Sequence, residues 1–134
     1  MEPERVPVEA EHHIVTARQR ARTMAAELGF GVVDQTQIAA AVSELTRNIV
    51  LYAEAGEVLL SVVEQSPGRV RALQIVVRDR GPGIQDTDLA MRDGWSSSEG
   101  LGLGLPGTQR LMDFFELNSK AGVGTTITVR KTIP

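Results

Sequence analysis

The chain has 134 residues, with 14 basic and 17 acidic side chains, a net charge of −3 and no cysteine. This length suits a single domain, residues 1–134, with a sizeable core, and the balance of charge argues against nucleic-acid binding, which normally needs a strongly basic face. The lack of cysteine excludes disulfides and thiolate metal sites. Because residues 1–11 are too charged for a signal peptide and no apolar run approaches the roughly 18 residues of a membrane span, we expect a soluble cytoplasmic protein without a membrane partner.

The first predicted elements are a short strand and a helix. Residues 5–10 are interpreted as an edge strand, because Pro7 cannot donate a backbone hydrogen bond to a neighbouring strand. A helix is expected at about residues 13–28, where apolar side chains recur at helical spacing. Gly29 follows this stripe and is suited to end the helix.

Titratable side chains in this region allow more than one interpretation. The chain has only two histidines, His12 and His13, which gives little basis for a His-based triad or a zinc site, so they are interpreted as a helix-start or loop pair with a structural role. Arg18, Arg20 and Arg22 lie off the apolar stripe of the first helix. They form either a solvated basic face or a docking surface for an acidic partner.

The second predicted helix carries the first candidate site. Asp34 is a suitable N-cap for a helix at about residues 35–53. Within it, Glu44 and Asn48 are four positions apart, so their side chains lie one turn apart and point the same way. Apolar residues at helical spacing beside them indicate a buried face. The pair is therefore either the polar rim of an ordinary amphipathic helix or an acid and an amide that contact one ligand.

Two segments rich in β-branched residues follow and predict a β-hairpin. Residues 58–64 and 70–79 are the strands, and residues 66–69 contain the Pro and Gly of a turn. Residues 80–100 carry no strand signal, which predicts a loop with at most a short helix at about 86–92. A long loop within a compact domain is usually functional or mobile.

The remaining elements are a helix and a second hairpin. The helix is expected at about residues 104–115, with Pro106 near its first position. The hairpin strands are residues 116–119 and 125–132, connected by a turn at 121–124. Helices and hairpins in this order predict an α+β two-layer sandwich, with a mainly antiparallel sheet.

A first glycine-rich segment, Asp79-Arg-Gly-Pro-Gly-Ile84, follows a predicted strand directly. A carboxylate at the end of a buried strand can accept a hydrogen bond from an exocyclic amine. The adjacent glycines would let a flat ring approach the backbone. The same residues also fit a Pro-Gly turn with a surface Asp, so this motif alone leaves both interpretations open.

The second segment, Gly100-Leu-Gly-Leu-Gly-Leu-Pro-Gly107, leads into a helix. Backbone amides and the positive end of the helix dipole make such a junction suitable for phosphates. The glycine spacing also matches a dinucleotide-binding fingerprint, but residues 93–99 do not form the hydrophobic strand that this fingerprint requires. A P-loop is excluded because no Gly-Lys-Ser or Gly-Lys-Thr follows.

Few cations are available to neutralise phosphates at this second segment. No Lys or Arg occurs between Arg92 and Arg110, so backbone amides and a metal ion would have to serve, with Arg47 or one of these flanking arginines as a helper. A third segment, Gly122-Val-Gly-Thr-Thr126, indicates by itself only a hairpin turn.

Taken in order, these motifs resemble the N, G1, G2 and G3 boxes of the GHKL (Bergerat) ATP-binding fold, which is shared by gyrase, Hsp90, histidine kinases and MutL. The four boxes are Glu-x-x-x-Asn on a helix, Asp-x-Gly-x-Gly after a strand, Gly-x-Gly-x-Gly before a helix, and Gly-x-Gly-Thr. From about residue 11 onwards the chain is similar to the RsbT-type serine/threonine kinases of bacterial stress-signalling modules, for example in Ser43-Glu-Leu-Thr-Arg-Asn-Ile49.

The resemblance implies roles for individual residues. It makes Glu44 the general base, Asn48 the ligand of Mg²⁺, and Asp79 the acceptor for the adenine amino group of ATP, with Thr125 supporting the adenine through water. It makes residues 85–101 a lid, in which the single tryptophan, Trp95, is either a buried anchor or a partner contact. The other positions implied to contact ATP are Gly81, Gly83, Ile84, Gly100, Gly102, Leu103, Gly104 and Leu105.

The function implied is a kinase that transfers the γ-phosphate of ATP to a serine or threonine of a STAS-domain scaffold or antagonist. Such kinases also act as switches that bind the scaffold or a PP2C-type phosphatase activator. The alternative is an anti-sigma factor that sequesters a sigma factor and shares the same boxes. A histidine-kinase fragment is disfavoured because no dimerising helix surrounds His12 or His13, and an Hsp90-like or MutL-like ATPase is disfavoured because there is no room for a transducer domain.

Overall fold

The computed structural model describes residues 3–53, 55–64, 70–81 and 104–134. Over these residues the chain forms three helices and five strands. Their order and bounds are β1 Glu4–Val8, α1 His12–Glu27, α2 Val32–Tyr52, β2 Gly56–Glu64, β3 Arg71–Asp79, α3 Gly104–Leu111, β4 Phe114–Lys120 and β5 Gly124–Thr132.

The strands form one antiparallel sheet in the order β1-β2-β3-β5-β4. β1 lies at an edge, where Pro7 is opposite Glu57 of β2, and this confirms the predicted edge strand. Both predicted hairpin pairings, β2 with β3 and β4 with β5, are confirmed. The predicted α+β sandwich is therefore correct, although the turn at 66–69 and the short helix at 86–92 lie outside the described residues.

The core lies between one face of the sheet and the two long helices. On β3, Leu73, Ile75 and Val77 are buried at every second position, as expected for side chains that share one face of a strand. α1 contributes small buried residues and packs along α2, which contributes larger ones. The helix residues of this core include Ala17, Ala21, Ala25, Ile38, Val42, Leu45 and Ile49.

The start of α2 differs from its prediction. The helix begins at Val32, after Gly31 as N-cap, so the prediction that Asp34 is the N-cap is wrong. Phe30 is buried and anchors the chain just before the helix, and the side-chain amide of Gln35 donates to the carbonyl oxygen of Phe30 at 2.8 Å. Asp34 instead lies in the first turn, where a negative charge is favourable near the positive end of the helix dipole.

The end of α3 also differs. The helix stops at Leu111 rather than near residue 115, because β5 provides competing partners. The Lys131 ammonium group donates to the carbonyl oxygen of Leu111 at 2.7 Å, and the amide of Asp113 donates to the carbonyl oxygen of Arg130 at 2.9 Å. The chain therefore enters β4 at Phe114, two residues before the predicted strand.

The titratable residues near α1 have structural contacts. The His13 imidazole Nδ1 accepts hydrogen bonds from the amides of Glu9 and Ala10, at 2.9 and 3.2 Å, just before the first turns of the helix. Arg20 forms an ion pair with Glu4 of β1. None of the helices in the described ranges is both long and apolar enough to cross a membrane.

Candidate active site

Glu44 is a buried acid at the centre of α2. Its side chain is only 2% exposed, and both carboxylate oxygens have partners. Oε2 accepts a hydrogen bond from Nη1 of Arg47 at 3.1 Å, and Oε1 accepts one from the backbone amide of Gly104 at 3.2 Å. Burying a charge is costly unless it is paired and hydrogen-bonded, so these two contacts account for the presence of an acid at this position.

Gly104 starts α3 and brings the end of the glycine-rich segment against α2. Its φ of 69° lies in the left-handed region that favours glycine. The positive end of the α3 dipole and the Gly104 amide therefore face the Glu44 carboxylate. The adjacent Leu105 is 1% exposed and belongs to the core, so its side chain serves packing and only its backbone remains for ligand contact.

Asn48 lies one turn beyond Glu44 on α2. Its side chain is partly buried, and the helical spacing directs it to the same side as Glu44. A carboxylate and a carboxamide thus follow each other along one line of the helix surface. The structure brings these two predicted site residues together.

Asp79 is the last residue of β3. Because side chains alternate along a strand, Asp79 shares the helix-covered face with Val77 and extends beyond the core at the end of the strand. Oδ1 accepts a hydrogen bond from the amide of Gly81 at 2.8 Å, which orients the carboxylate. Oδ2 accepts no hydrogen bond from the part of the chain that the structure describes.

Thr125 lies next to Asp79 on the neighbouring strand β5. Its side chain is 9% exposed, and its hydroxyl is 2.8 Å from the hydroxyl of Ser119 on β4. The strands approach closely here, because a Cβ added to Gly124 would lie 2.2 Å from the carbonyl oxygen of Asp79. The Asp79 carboxylate and the Thr125 hydroxyl therefore belong to one small polar cluster at the end of the sheet.

α2 connects this cluster to Glu44. The residue after the helix, Ala53, packs against Gly81, since a Cβ added to that glycine would lie 2.7 Å from the Cβ of Ala53. The start of α3 contacts α2 at Glu44, and the segment after β3 contacts the end of α2. One helix thus forms a common wall for the residues of three of the predicted boxes.

Part of the predicted site falls on residues 82–103, which the structure does not describe. The predicted lid and Trp95 lie within this range. The predicted ATP contacts outside the described residues are Gly83, Ile84, Gly100, Gly102 and Leu103.

Two contacts of the site were missed by the sequence analysis. Arg47 was considered only as a helper for phosphates, whereas its guanidinium pairs with Glu44. Its position three residues after Glu44 on a helix was the available signal. Ser119 was not singled out, and its contact with Thr125 follows only from the register of β4 against β5, in which the two residues are direct partners.

A second charged cluster lies near the same end of the sheet. A hollow of about 700 Å³ is bordered by Asp79 and by Arg5, Glu57 and Arg78. Glu57 accepts hydrogen bonds from Arg5 at 2.5 Å and from Arg78 at 2.7 Å, and these contacts hold the pKa of its carboxyl below the usual value, with the Arg5 hydrogen bond as the largest cause. These contacts link β1, β2 and β3.

The comparison with protein families identifies the class. A family model described as "Histidine kinase-like ATPase domain" matches residues 6–131. The chain therefore belongs to the histidine kinase-like ATPase family, as the order of its boxes predicted.

The chain also resembles one individual protein along most of its length. The chain is 53% identical over 123 residues to the serine/threonine-protein kinase RsbT of Bacillus subtilis (strain 168), and the match covers 91% of this chain and 90% of that relative. With the family match, this similarity makes the chain an ATP-dependent protein kinase of the serine/threonine class.

Solved structures share the fold. The structure of the RsbU and RsbW domains of Rv1364c from Mycobacterium tuberculosis matches with a TM-score of 0.68 and 22% identity, over 100% of this chain and 33% of that longer chain. The mycobacterial sensor histidine kinase MprB matches with a TM-score of 0.57 and 18% identity, over 97% of each chain. These two likenesses concern the fold alone.

Proposed function

We propose that the chain phosphorylates a serine or threonine of a STAS-domain partner in a bacterial partner-switching module, with Glu44 as general base. The observation that carries this proposal is the buried Glu44 carboxylate, bonded to the first amide of the helix that follows the glycine-rich segment. Such a helix start is where phosphates of a nucleotide bind favourably. An acid at this position lies next to the reacting phosphate.

The transfer itself requires few protein groups. The acceptor hydroxyl oxygen bonds to the γ-phosphorus of ATP while the bond from that phosphorus to the β–γ bridging oxygen breaks. The hydroxyl proton passes to Glu44, and ADP leaves. Each carboxylate oxygen has two lone pairs, so the contacts of Glu44 with Arg47 and Gly104 leave capacity to accept this proton. A positioned base contributes about 10²- to 10⁴-fold in rate.

Asp79 is proposed to select adenine. Its Oδ1 is engaged by Gly81, so Oδ2 is the oxygen that accepts a hydrogen bond from the exocyclic amine. Thr125, next to Asp79 across the sheet, would hold a water against the adenine ring. The remaining proposed ATP contacts are Gly81, Gly83 and Ile84 beside the ring, and Gly100, Gly102, Leu103, Gly104 and Leu105 near the phosphates.

Mg²⁺ is the proposed ion of the site, and Asn48 would hold it through its carboxamide oxygen. Mg²⁺ prefers oxygen ligands and is commonly held by one or two protein groups together with phosphates and water. The described residues contain no group of three or more His, Asp or Glu side chains that could hold a metal. A single protein ligand, the carboxamide of Asn48, fits an ion held mainly by the nucleotide. The bound ion would neutralise phosphate charge.

The proposed partners are STAS-domain proteins, as scaffold or antagonist, and a PP2C-type phosphatase activator after release. The similarity to RsbT supports a role in partner switching, and no nucleic-acid or membrane partner is proposed. The alternative is an anti-sigma factor of the same fold, which would use ATP mainly to choose between partners.

The test uses the purified chain, γ-labelled ATP, Mg²⁺ and the STAS proteins encoded nearby. We expect label on a serine or threonine of one STAS protein, and none after the acceptor residue is changed to Ala. A parallel pull-down offers the sigma factors of the same organism. Retention of a sigma factor without labelling of any STAS protein would contradict the proposed substrate and favour the anti-sigma function.

A further inference from the structure

The two oxygens of the Glu44 carboxylate have different kinds of partner. Oε1 is fixed by a backbone amide, that of Gly104 in α3. Oε2 is fixed by a side chain, that of Arg47 in the same helix. Of the described residues, Arg47 is the one whose cationic group contacts Glu44. The orientation of the acid therefore depends on one replaceable side chain.

Arg47 is well suited to orient a neighbouring acid. It lies three residues after Glu44 on α2, a spacing at which side chains on a helix are neighbours. Its guanidinium is planar and permanently charged, and it offers five N–H donors in a fixed geometry. The Arg47 side chain is 38% exposed while that of Glu44 is 2% exposed. The guanidinium thus reaches from the protein surface to the buried carboxylate.

We propose that Arg47 is a positioning residue for phosphotransfer, which acts by holding the Glu44 carboxylate in the orientation that accepts the hydroxyl proton. This inference rests on the proposed role of Glu44 as base. The bond to Arg47 and the bond to Gly104 together restrict rotation of the carboxylate, and each oxygen keeps a second lone pair. Without Arg47, the acid keeps one partner and can turn away from the acceptor.

The first measurement separates positioning from binding. Replacement Arg47→Ala is expected to lower kcat for phosphotransfer by about 10- to 100-fold, the size of effect that misplacing a catalytic group produces. The KM for ATP stays unchanged, because Arg47 is assigned to the acid and not to the nucleotide. Arg47→Lys restores part of kcat, since an ammonium group can still donate to Oε2. The control is Arg71→Ala, at the exposed start of β3 and opposite the end that carries Asp79.

The second measurement tests whether Arg47 acts through Glu44. In a Glu44→Gln background, which itself lowers kcat, adding Arg47→Ala should cause no further loss. A further loss of the same size as in the wild-type background would overturn the proposal, because Arg47 would then act on the nucleotide or the partner. An Arg47→Ala protein with wild-type kcat, or with a raised KM for ATP and an unchanged kcat, would overturn it as well.

The two proposals fail in distinguishable ways. If Glu44→Gln alone keeps the wild-type rate, the proposed base is wrong whatever Arg47 does. If Glu44→Gln is slow and Arg47→Ala is not, only the positioning role is wrong. Melting curves of Arg47→Ala and Arg47→Lys show whether each variant folds. If Arg47→Ala does not fold, the effect on kcat is measured with Arg47→Lys instead.

Discussion

The carboxylate of Glu44 accepts a hydrogen bond at 3.2 Å from the amide of Gly104, a residue 60 positions later in the chain. This contact ties the acid of α2 to the first residue of α3. The backbone of Gly104 lies in the left-handed region, with a φ of 69°. The contact therefore joins the side chain of Glu44 to the backbone of Gly104, and the side chain can be replaced without changing the backbone.

The acid itself gives the first prediction. Replacement Glu44→Gln preserves the shape of the side chain but removes its ability to take a proton as a carboxylate. We expect the rate of phosphotransfer to fall by about 10² to 10⁴, while ATP binding, measured by titration calorimetry, stays close to wild type. Glu27→Gln, at the exposed end of α1, is the matched control and should keep the full rate. Equal rates for the two variants would remove Glu44 from the mechanism.

Asp79 gives a prediction about binding. Asp79→Asn places an NH₂ group or a weaker acceptor where the adenine amine donates, and the lost hydrogen bond to a charged group weakens ATP binding by about 1.5 to 3 kcal/mol. The same change should reduce the preference for ATP over GTP. Fluorescence titration with both nucleotides measures these effects. Wild-type affinity for ATP in the variant would show that Asp79 does not contact the base.

The close approach of β5 to Asp79 gives a prediction about stability. In Gly124→Ala the added Cβ would lie 2.2 Å from the carbonyl oxygen of Asp79, at a φ of 152° that side chains rarely adopt. We expect a loss of about 1 to 3 kcal/mol in the free energy of unfolding, together with weaker ATP binding, because the strand end must move. Gly122→Ala is the control and should cost less, since Gly122 also has a positive φ, of 79°, but no atom lies within 4 Å of its added Cβ. Equal denaturant midpoints for both variants would contradict this packing.

Much of this arrangement was predictable from sequence, and the exceptions have physical causes. The period of the apolar residues defined α2, and the β-branched runs defined β2 and β3. The end of α3 was not predictable, because Lys131 of β5 provides the partner that caps it. The start of α2 at Val32 depends on the burial of Phe30. Both errors concern element boundaries that are set by tertiary contacts.

The candidate site was likewise predictable only in part. The residue types of the boxes and their order indicated Glu44, Asn48 and Asp79. The pairing of Glu44 with Gly104 depends on how two helices meet, which no local pattern encodes. The pairing with Arg47, by contrast, had a local signal in the spacing of three residues on one helix. The core position of Leu105 follows from packing rather than from its place in a glycine-rich motif.

Glu57 gives a prediction about pH. Hydrogen bonds from Arg5 and Arg78 lower the pKa of its carboxyl in the folded chain. Its contribution to stability is therefore fully present above the pKa of an unfolded Glu and is lost as the pH falls through the lower folded pKa. These partners are half exposed, so we expect Glu57→Gln to cost about 0.2 to 1 kcal/mol at pH 7.

The check is a comparison of urea midpoints for wild type and Glu57→Gln at pH 7 and near pH 3. The difference between the two proteins should shrink at the lower pH and at high salt, which screens exposed ion pairs. A difference that grows on acidification would contradict the assigned sign.

We propose that α2 forms the wall of one ATP site, with Glu44 and Asn48 along the helix and Asp79 at the end of β3. The most direct measurement is a crystal structure of the chain with Mg²⁺ and a non-hydrolysable ATP analogue. We predict the adenine amine within hydrogen-bonding distance of Asp79, the ion beside Asn48 and the γ-phosphate next to Glu44. A nucleotide bound away from Asp79, or one whose phosphates point away from α2, would contradict the account.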